Sequence, residues 1–166
     1  MPTVKNAIER ITAIRDKVAF IGPTLARITV GSVFIGTGWG KLNNLVQTTE
    51  YFASLHIPAA GFQARLAAGT EFVGGILVLL GLGARLASLP LAFTMVVAIL
   101  TAKRAELDGL TTLFGFEEWS YIVFFVWIAL VGPGPLSLDA LIARWRKREP
   151  ASSGSALSKP LPRPQS

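Results

Sequence analysis

The sequence predicts an all-α integral membrane protein, a four-helix bundle with N and C termini cytoplasmic and an interfacial amphipathic helix flanking it on either side. Three observations lead there. Of the 166 residues, 51% are apolar, and the mean hydropathy is +0.51. Charged residues make up 16%, against roughly 25% in soluble proteins. Those charges gather toward the ends and leave long apolar stretches between them. The predicted organisation is an interfacial helix over 1–17, a four-span membrane domain over 18–148 that includes the C-terminal interfacial helix, and a disordered tail over 149–166.

Residues 1–17 place Val4, Ala7, Ile8, Ile11 and Ile14 at helical spacing, with Lys5, Arg10, Arg15 and Lys17 among them. That is the pattern of a helix lying on the cytoplasmic surface. The first span runs from about Val18 to Trp39. Arg27, Gly31, Phe34, Gly38 and Lys41 recur at 4-3-4-3 spacing and share one face. Gly36 and Gly40 form a GxxxG pair, which lets a second backbone come close and makes an oligomer a reasonable expectation.

Asn43 and Asn44 end the first helix. Tyr51, Phe52, Leu55 and Ile57 then suggest a loop resting at the outer interface, and Pro58 starts the return. The second span, Gly61–Leu82, carries Ala64, Ala67, Glu71, Gly74, Val78, Gly81 and Arg85 along one stripe. Its roughly 22 residues reach about 33 Å, enough to cross the hydrocarbon core. Glu71 falls near the middle of it, where a lone carboxylate costs several kcal/mol unless protonated or paired.

A third span covers about Leu86–Thr101 and contains Pro90. An exterior loop over 102–116 follows, in which Lys103, Arg104, Glu106 and Asp108 nearly cancel. The fourth span, Glu117–Val131, opens with Trp119 and Tyr121 at an aromatic-belt position. Gly132-Pro133-Gly134-Pro135 forces a turn. Leu138, Leu141, Ile142 and Trp145 then line one face of a helix that carries Arg144, Lys147 and Arg148 on the other, as expected of a helix on an anionic leaflet. Basic residues at both ends and at Arg85, set against near-neutral exterior loops, orient the bundle with both ends inside.

Composition also excludes chemistry. The net charge of +6 and pI near 10.2 come from residues flanking apolar spans rather than from a basic stripe interleaved with exposed aromatics, so nucleic acid is not the partner; membrane lipids are. With no Cys and one His, thiol redox, iron–sulfur clusters, thiolate metal sites and a bis-His haem within one chain are ruled out.

The intramembrane charges remain as candidates. Counted from the span ends, Arg27 and Glu71 lie at similar depths, so the expected arrangement is an Arg27–Glu71 ion pair between antiparallel neighbours. Such a pair either fixes register or lines a polar site that binds a head group or relays protons. Lys41, four turns above Arg27, and Arg65 fall at the outer boundary and are expected to snorkel to lipid phosphate. Arg85 reads as a positive-inside anchor, His56 as a loop residue, and Trp39, Trp119, Trp127 and Trp145 as belt or packing residues; Met95 lacks the His partner that an axial ligand would need.

The order of these features resembles the DoxX family of small four-span membrane proteins. The resemblance is carried by Ala26-Arg27, Gly31, Phe34 and Gly38-Trp39-Gly40-Lys41, then Pro58, then Glu71-Phe72-Val73-Gly74-Gly75 with Gly81 and Arg85. It closes with Gly132-Pro133-Gly134 and Ser137-Leu138-Asp139, covering residues 20–145 or so. The family takes its name from a membrane subunit of a thiosulfate:quinone oxidoreductase, so the resemblance implies redox work at a quinone. In a chain without cysteine the electrons would belong to the quinone or to a partner protein. On that reading Arg27 and Lys41 bind the head group or an anionic substrate, and Glu71 accepts or gives a proton. The competing expectations are a non-enzymatic assembly or scaffold subunit and, third, a small transporter or proton path.

Overall fold

The computed structural model describes Asn6, Glu9, Thr12 and residues 18–148. The expected surface helix over 1–17 and the tail over 149–166 fall almost wholly outside the described residues. Among those described, seven helices follow one another with no strand: α1 Ile21–Asn43, α2 Leu45–Ser54, α3 Ala60–Leu80, α4 Ala84–Thr101, α5 Leu110–Gly115, α6 Glu117–Val131 and α7 Leu138–Arg148. Two of them, α3 and α4, are long and apolar enough to cross a membrane. The 15-residue α6 matches the fourth expected span residue for residue.

Side chains that would face water in a soluble protein are apolar here. Leu86, Leu130, Phe93, Phe62 and Leu100 are all more than half exposed, spread over α3, α4 and α6. Such a continuous apolar exterior is a liability in water and a requirement in lipid. The core inside it is formed by Val30 and Phe34 of α1, Val78 of α3, Leu91 and Met95 of α4, and Phe125 and Ile128 of α6. Phe34 anchors it, meeting Phe125 and Tyr121 edge-on with centroids 4.8 and 5.2 Å apart.

Glycine sets how α1 and α3 meet. A Cβ on Gly31 would lie 2.8 Å from the Leu79 nitrogen, one on Gly75 would lie 2.8 Å from the Ile35 nitrogen, and one on Gly38 would run into the Phe72 backbone. The two helices therefore touch backbone to backbone, in the close approach that small residues permit. Gly31 and Gly38 belong to the 4-3-4-3 face read from the sequence, and Arg27 and Phe34 of that face are buried with them. The GxxxG pair lies elsewhere: a Cβ on Gly36 or Gly40 would meet nothing within 4 Å.

Both connecting segments expected as loops contain helix. α2 packs against α3 beyond the end of α1, and α5 precedes α6. The connection from α2 to α3 holds His56 and Ala59 at positive φ, 58° and 52°. At the other end, α3 stops at Gly81 in a Schellman turn. The Leu82 N–H donates to Leu77 O at 3.0 Å, the Gly81 N–H donates to Val78 O at 3.1 Å, and Gly81 takes the left-handed φ of 68° that glycine tolerates.

Candidate functional site

The register of α1 on α3 decides which charges can meet. Gly38 faces Phe72 and Gly31 faces Leu79, so Glu71 lies opposite Trp39, while Arg27 lies opposite the turn at Gly81–Gly83. Arg27 and Glu71 are thus separated by about twelve residues of helix, about 18 Å along the axis. The Arg27–Glu71 ion pair expected from the sequence does not form. Counting depth from the apparent span ends failed because α1 begins at Ile21 and runs on to Asn43, while the start of α3 extends past it to pack on α2.

Glu71 instead pairs with Lys41. The Lys41 Nζ donates to both carboxylate oxygens, at 2.5 and 2.6 Å. The Glu71 side chain is 3% exposed and that of Lys41 33% exposed. Lys41, placed in the last turn of α1, does not snorkel outward but turns down along the helix face to reach the acid. Ala68 and Gly74, one turn to either side of Glu71 on α3, are buried, and the neighbouring Phe72 meets the Trp39 ring with centroids 5.6 Å apart. One turn deeper is Phe34 with Tyr121. An ammonium has three donors, so with two given to Glu71 the third has no partner among the described residues. The arrangement is a neutralised, nearly dry acid–base pair whose cation keeps one face toward the surroundings.

Arg27 does different work. Its Nη1 donates to Pro133 O at 3.1 Å and its Nη2 to Leu136 O at 2.8 Å, tying the start of α1 to the α6–α7 turn. The side chain is buried, and Nε has no partner among the described residues. Arg27 lies against Gly81 so closely that a Cβ there would collide with Nη1 and with Ser137. The same junction is laced by three further contacts. Arg85 Nη2 donates to Val131 O at 3.1 Å, the Gly83 N–H donates to Asp139 Oδ1 at 2.9 Å, and the Asp139 N–H donates to Gly81 O at 3.1 Å. Ser137 caps α7, its hydroxyl accepting from the Ala140 N–H at 3.2 Å and donating to Gly134 O at 2.7 Å. The sequence singles out Gly81, Arg85, Gly132-Pro133-Gly134 and Ser137-Leu138-Asp139, but not that Arg27 binds the Pro133 and Leu136 carbonyls.

The remaining sequence candidates fall into place around these two regions. Arg65 is exposed and donates to Gly61 O one turn back; His56 is exposed; Trp39 is 56% and Trp145 64% exposed. Met95 is a core residue. In the segment between α4 and α5, Lys103 pairs with Glu106 at 3.2 Å, and that hydrogen bond raises the lysine pKa above its ordinary value. Among the described residues no group of three or more His, Cys, Asp or Glu side chains is placed to hold a metal.

The DoxX family model matches residues 22–104, which span α1 to α4 and include both Lys41 and Glu71. A Bacillus subtilis protein named "Putative oxidoreductase CatD" is 30% identical over 129 residues, covering 76% of this chain and 91% of that protein. The Escherichia coli inner membrane protein YqjF is 32% identical, over 76% of this chain and 95% of its own length. The uncharacterized membrane protein Rv3486 of Mycobacterium tuberculosis is 35% identical, over 71% and 79%. No solved structure matches the chain. With an apolar exterior, spanning-length helices and relatives matched over most of their length, the chain is a membrane protein of the DoxX family.

Proposed function

We propose that the chain is the membrane subunit of a quinone-linked oxidoreductase. It crosses the inner membrane four times with α1, α3, α4 and α6 and keeps both termini cytoplasmic. The observation that carries this reading is the Lys41–Glu71 pair, a buried carboxylate held by a cation that retains an unused donor. Intramembrane ionisable groups are costly and mark functional sites by default. The oxidoreductase name of CatD supports a redox role, and the lack of cysteine leaves the electrons to a quinone and a partner protein.

The residues present fit a quinone head group. Lys41 would hold a carbonyl oxygen of the head group through its third N–H, and Glu71 would hold or deliver a proton at its carboxylate. The quinone, when bound, supplies the electron-accepting chemistry. Arg27 is not a head-group ligand in this scheme, because its terminal nitrogens are committed to the Pro133 and Leu136 carbonyls. A second reading, a scaffold or assembly subunit, is favoured by one observation: the outward Gly36–Gly40 face beside exposed Trp39, open to a second copy or a partner helix.

Equilibrium binding of a short-chain quinone to the purified protein in detergent tests the proposal. The wild type is expected to bind, and Lys41→Met to bind at least about tenfold more weakly, the loss of one charge-assisted hydrogen bond. Arg27→Lys should bind as the wild type does. Absence of binding by the wild type, or equal binding by Lys41→Met, overturns the redox reading and leaves the scaffold.

A further inference from the structure

The inner junction contains a depression of about 400 Å³, walled by Arg85, Pro133, Pro135, Ser137 and Asp139. It is shallow and open on one side. Its depth in the bilayer follows from its walls. Arg85 is in the first turn of the spanning helix α4, and Val131, whose carbonyl it binds, is the last residue of α6. The helix leaving the depression, α7, exposes Leu138, Leu141, Ile142 and Trp145. Helix ends and an exposed amphipathic helix meet at the head-group level, so the depression opens where lipid head groups lie.

The chemistry of the walls narrows the ligand. A guanidinium has five donors, and one Nη2 contact to Val131 O leaves most of those on Arg85 without a partner among the described residues. Asp139 accepts the Gly83 N–H on Oδ1, and its second oxygen has no partner among the described residues. Pro135 adds a carbonyl but no N–H, and the Pro133 carbonyl is already taken by Arg27. The site therefore offers a cation with spare donors at one wall and a carboxylate with a spare oxygen at another. A purely anionic head group satisfies the first and leaves the second unpaired. A choline head group has no N–H to give the second. A phosphate joined to a primary ammonium satisfies both.

We propose that this depression binds the head group of phosphatidylethanolamine, its phosphate on Arg85 and its ammonium on Asp139. The binding is independent of any redox role and uses no residue of the Lys41–Glu71 pair.

The test is lipid retention by the purified full chain, measured by native mass spectrometry after exchange into equimolar phosphatidylethanolamine, phosphatidylglycerol and phosphatidylcholine. The wild type is expected to retain phosphatidylethanolamine about tenfold over phosphatidylcholine, the effect of one charge-assisted contact. Asp139→Asn keeps an oxygen for the Gly83 N–H and removes only the charge; it should erase that preference and raise phosphatidylglycerol. Arg85→Gln keeps an N–H for Val131 O and should lose all three lipids. Should Arg85→Gln fail to fold, Asp139→Asn decides alone. A wild type that prefers phosphatidylglycerol, or an Asp139→Asn variant with unchanged selectivity, overturns the proposal. Glycerophosphoethanolamine, added as a soluble competitor, separates lipid from free head group. Displacement of the lipid by it at equal concentration would assign the site to a soluble phosphoethanolamine and overturn the lipid assignment.

Discussion

The two ends of the α1–α3 pair bury charge by opposite means. Toward the end that the proposed orientation puts outside, Lys41 and Glu71 cancel, carboxylate against ammonium, and the pair is neutral. At the inner end Arg27 is buried with no carboxylate among its hydrogen-bond partners; it is solvated by the Pro133 and Leu136 carbonyls. A carbonyl stabilises a cation as a dipole, without removing its charge, so the inner junction keeps a net positive charge that Arg85 adds to. On the proposed orientation, that is the side on which the positive-inside bias puts charge. The outer pair can take up or release a proton only by breaking an ion pair, whereas the inner cation has a fixed charge and a fixed place. The first arrangement suits chemistry and the second suits construction.

Arg27→Ala is the strongest way to break this contrast. It leaves two carbonyls without their donors, and hydrogen bonds to charged groups contribute about 1.5–3 kcal/mol each. A loss of about 3 kcal/mol or more is expected in unfolding monitored in detergent, with the α6–α7 turn and α7 released together. Arg27→Lys can satisfy at most one of the carbonyls and should fall between. A midpoint for Arg27→Ala no lower than that of Arg65→Ala, which removes an exposed arginine, would mean the junction is not held by Arg27.

The outer pair answers to a double-mutant cycle. Removing either partner alone leaves an uncompensated buried charge or a desolvated cation, at a cost of about 3 kcal/mol for Lys41→Met. Glu71→Gln, which keeps a hydrogen-bond acceptor, should cost less. The double variant Lys41→Met/Glu71→Gln removes both charges and should recover much of the loss, with a coupling energy of about 1–3 kcal/mol. Additive losses would show that the contact seen at 2.5 and 2.6 Å carries no coupling and that the two residues are stabilised separately.

The sequence made the helices legible because apolar runs, Gly-Pro turns and the Asn43-Asn44 break are local signals; α6 and the end of α1 fall where they were expected. The faces were legible too, since Arg27, Gly31, Phe34 and Gly38 all turn inward. The pairing of charges was not. Two faces can each be read correctly while the sliding of one helix along the other stays open, and that offset is fixed by which glycine meets which backbone. Gly38 on Phe72 and Gly75 on Ile35 carry that information, and nothing in either stretch alone reveals it. α2 was missed for a related reason: a short polar helix with Val46 and Tyr51 exposed owes its place to packing on α3 more than to its own apolar pattern. Of the candidate residues, Glu71 and Lys41 belong to one site, and Arg27 belongs to the other end of the molecule.

That offset can be tested directly. Gly38→Ala drives a methyl group into the Phe72 backbone, which cannot rotate away, so α1 and α3 must separate; overpacking of this kind costs about 1–3 kcal/mol. The same change at Gly36, where a Cβ meets nothing within 4 Å, should be neutral or stabilise by up to about 1 kcal/mol through helix propensity. Equal effects at the two positions would mean that the register is wrong, or that Gly36 is covered by a second copy, which a shift in the mass of the purified complex would reveal.

The smallest expected effect is also the most local. Ser137→Ala removes the cap of α7 and leaves the Gly134 carbonyl without its donor, at a cost of about 1 kcal/mol. Because Arg27 and Asp139 still hold the turn, this energy should be lost from α7 alone. Amide exchange should quicken at Ala140 and Leu141, whose N–H groups point back at Ser137, while protection within α3 and α4 stays unchanged. Ser137→Asp can accept from Ala140 but cannot donate to Gly134, so it should restore the cap without restoring the turn. If exchange instead quickens throughout α1 and α3, the junction and the Lys41–Glu71 pair are one cooperative unit, and the division of labour between the two buried charges is lost.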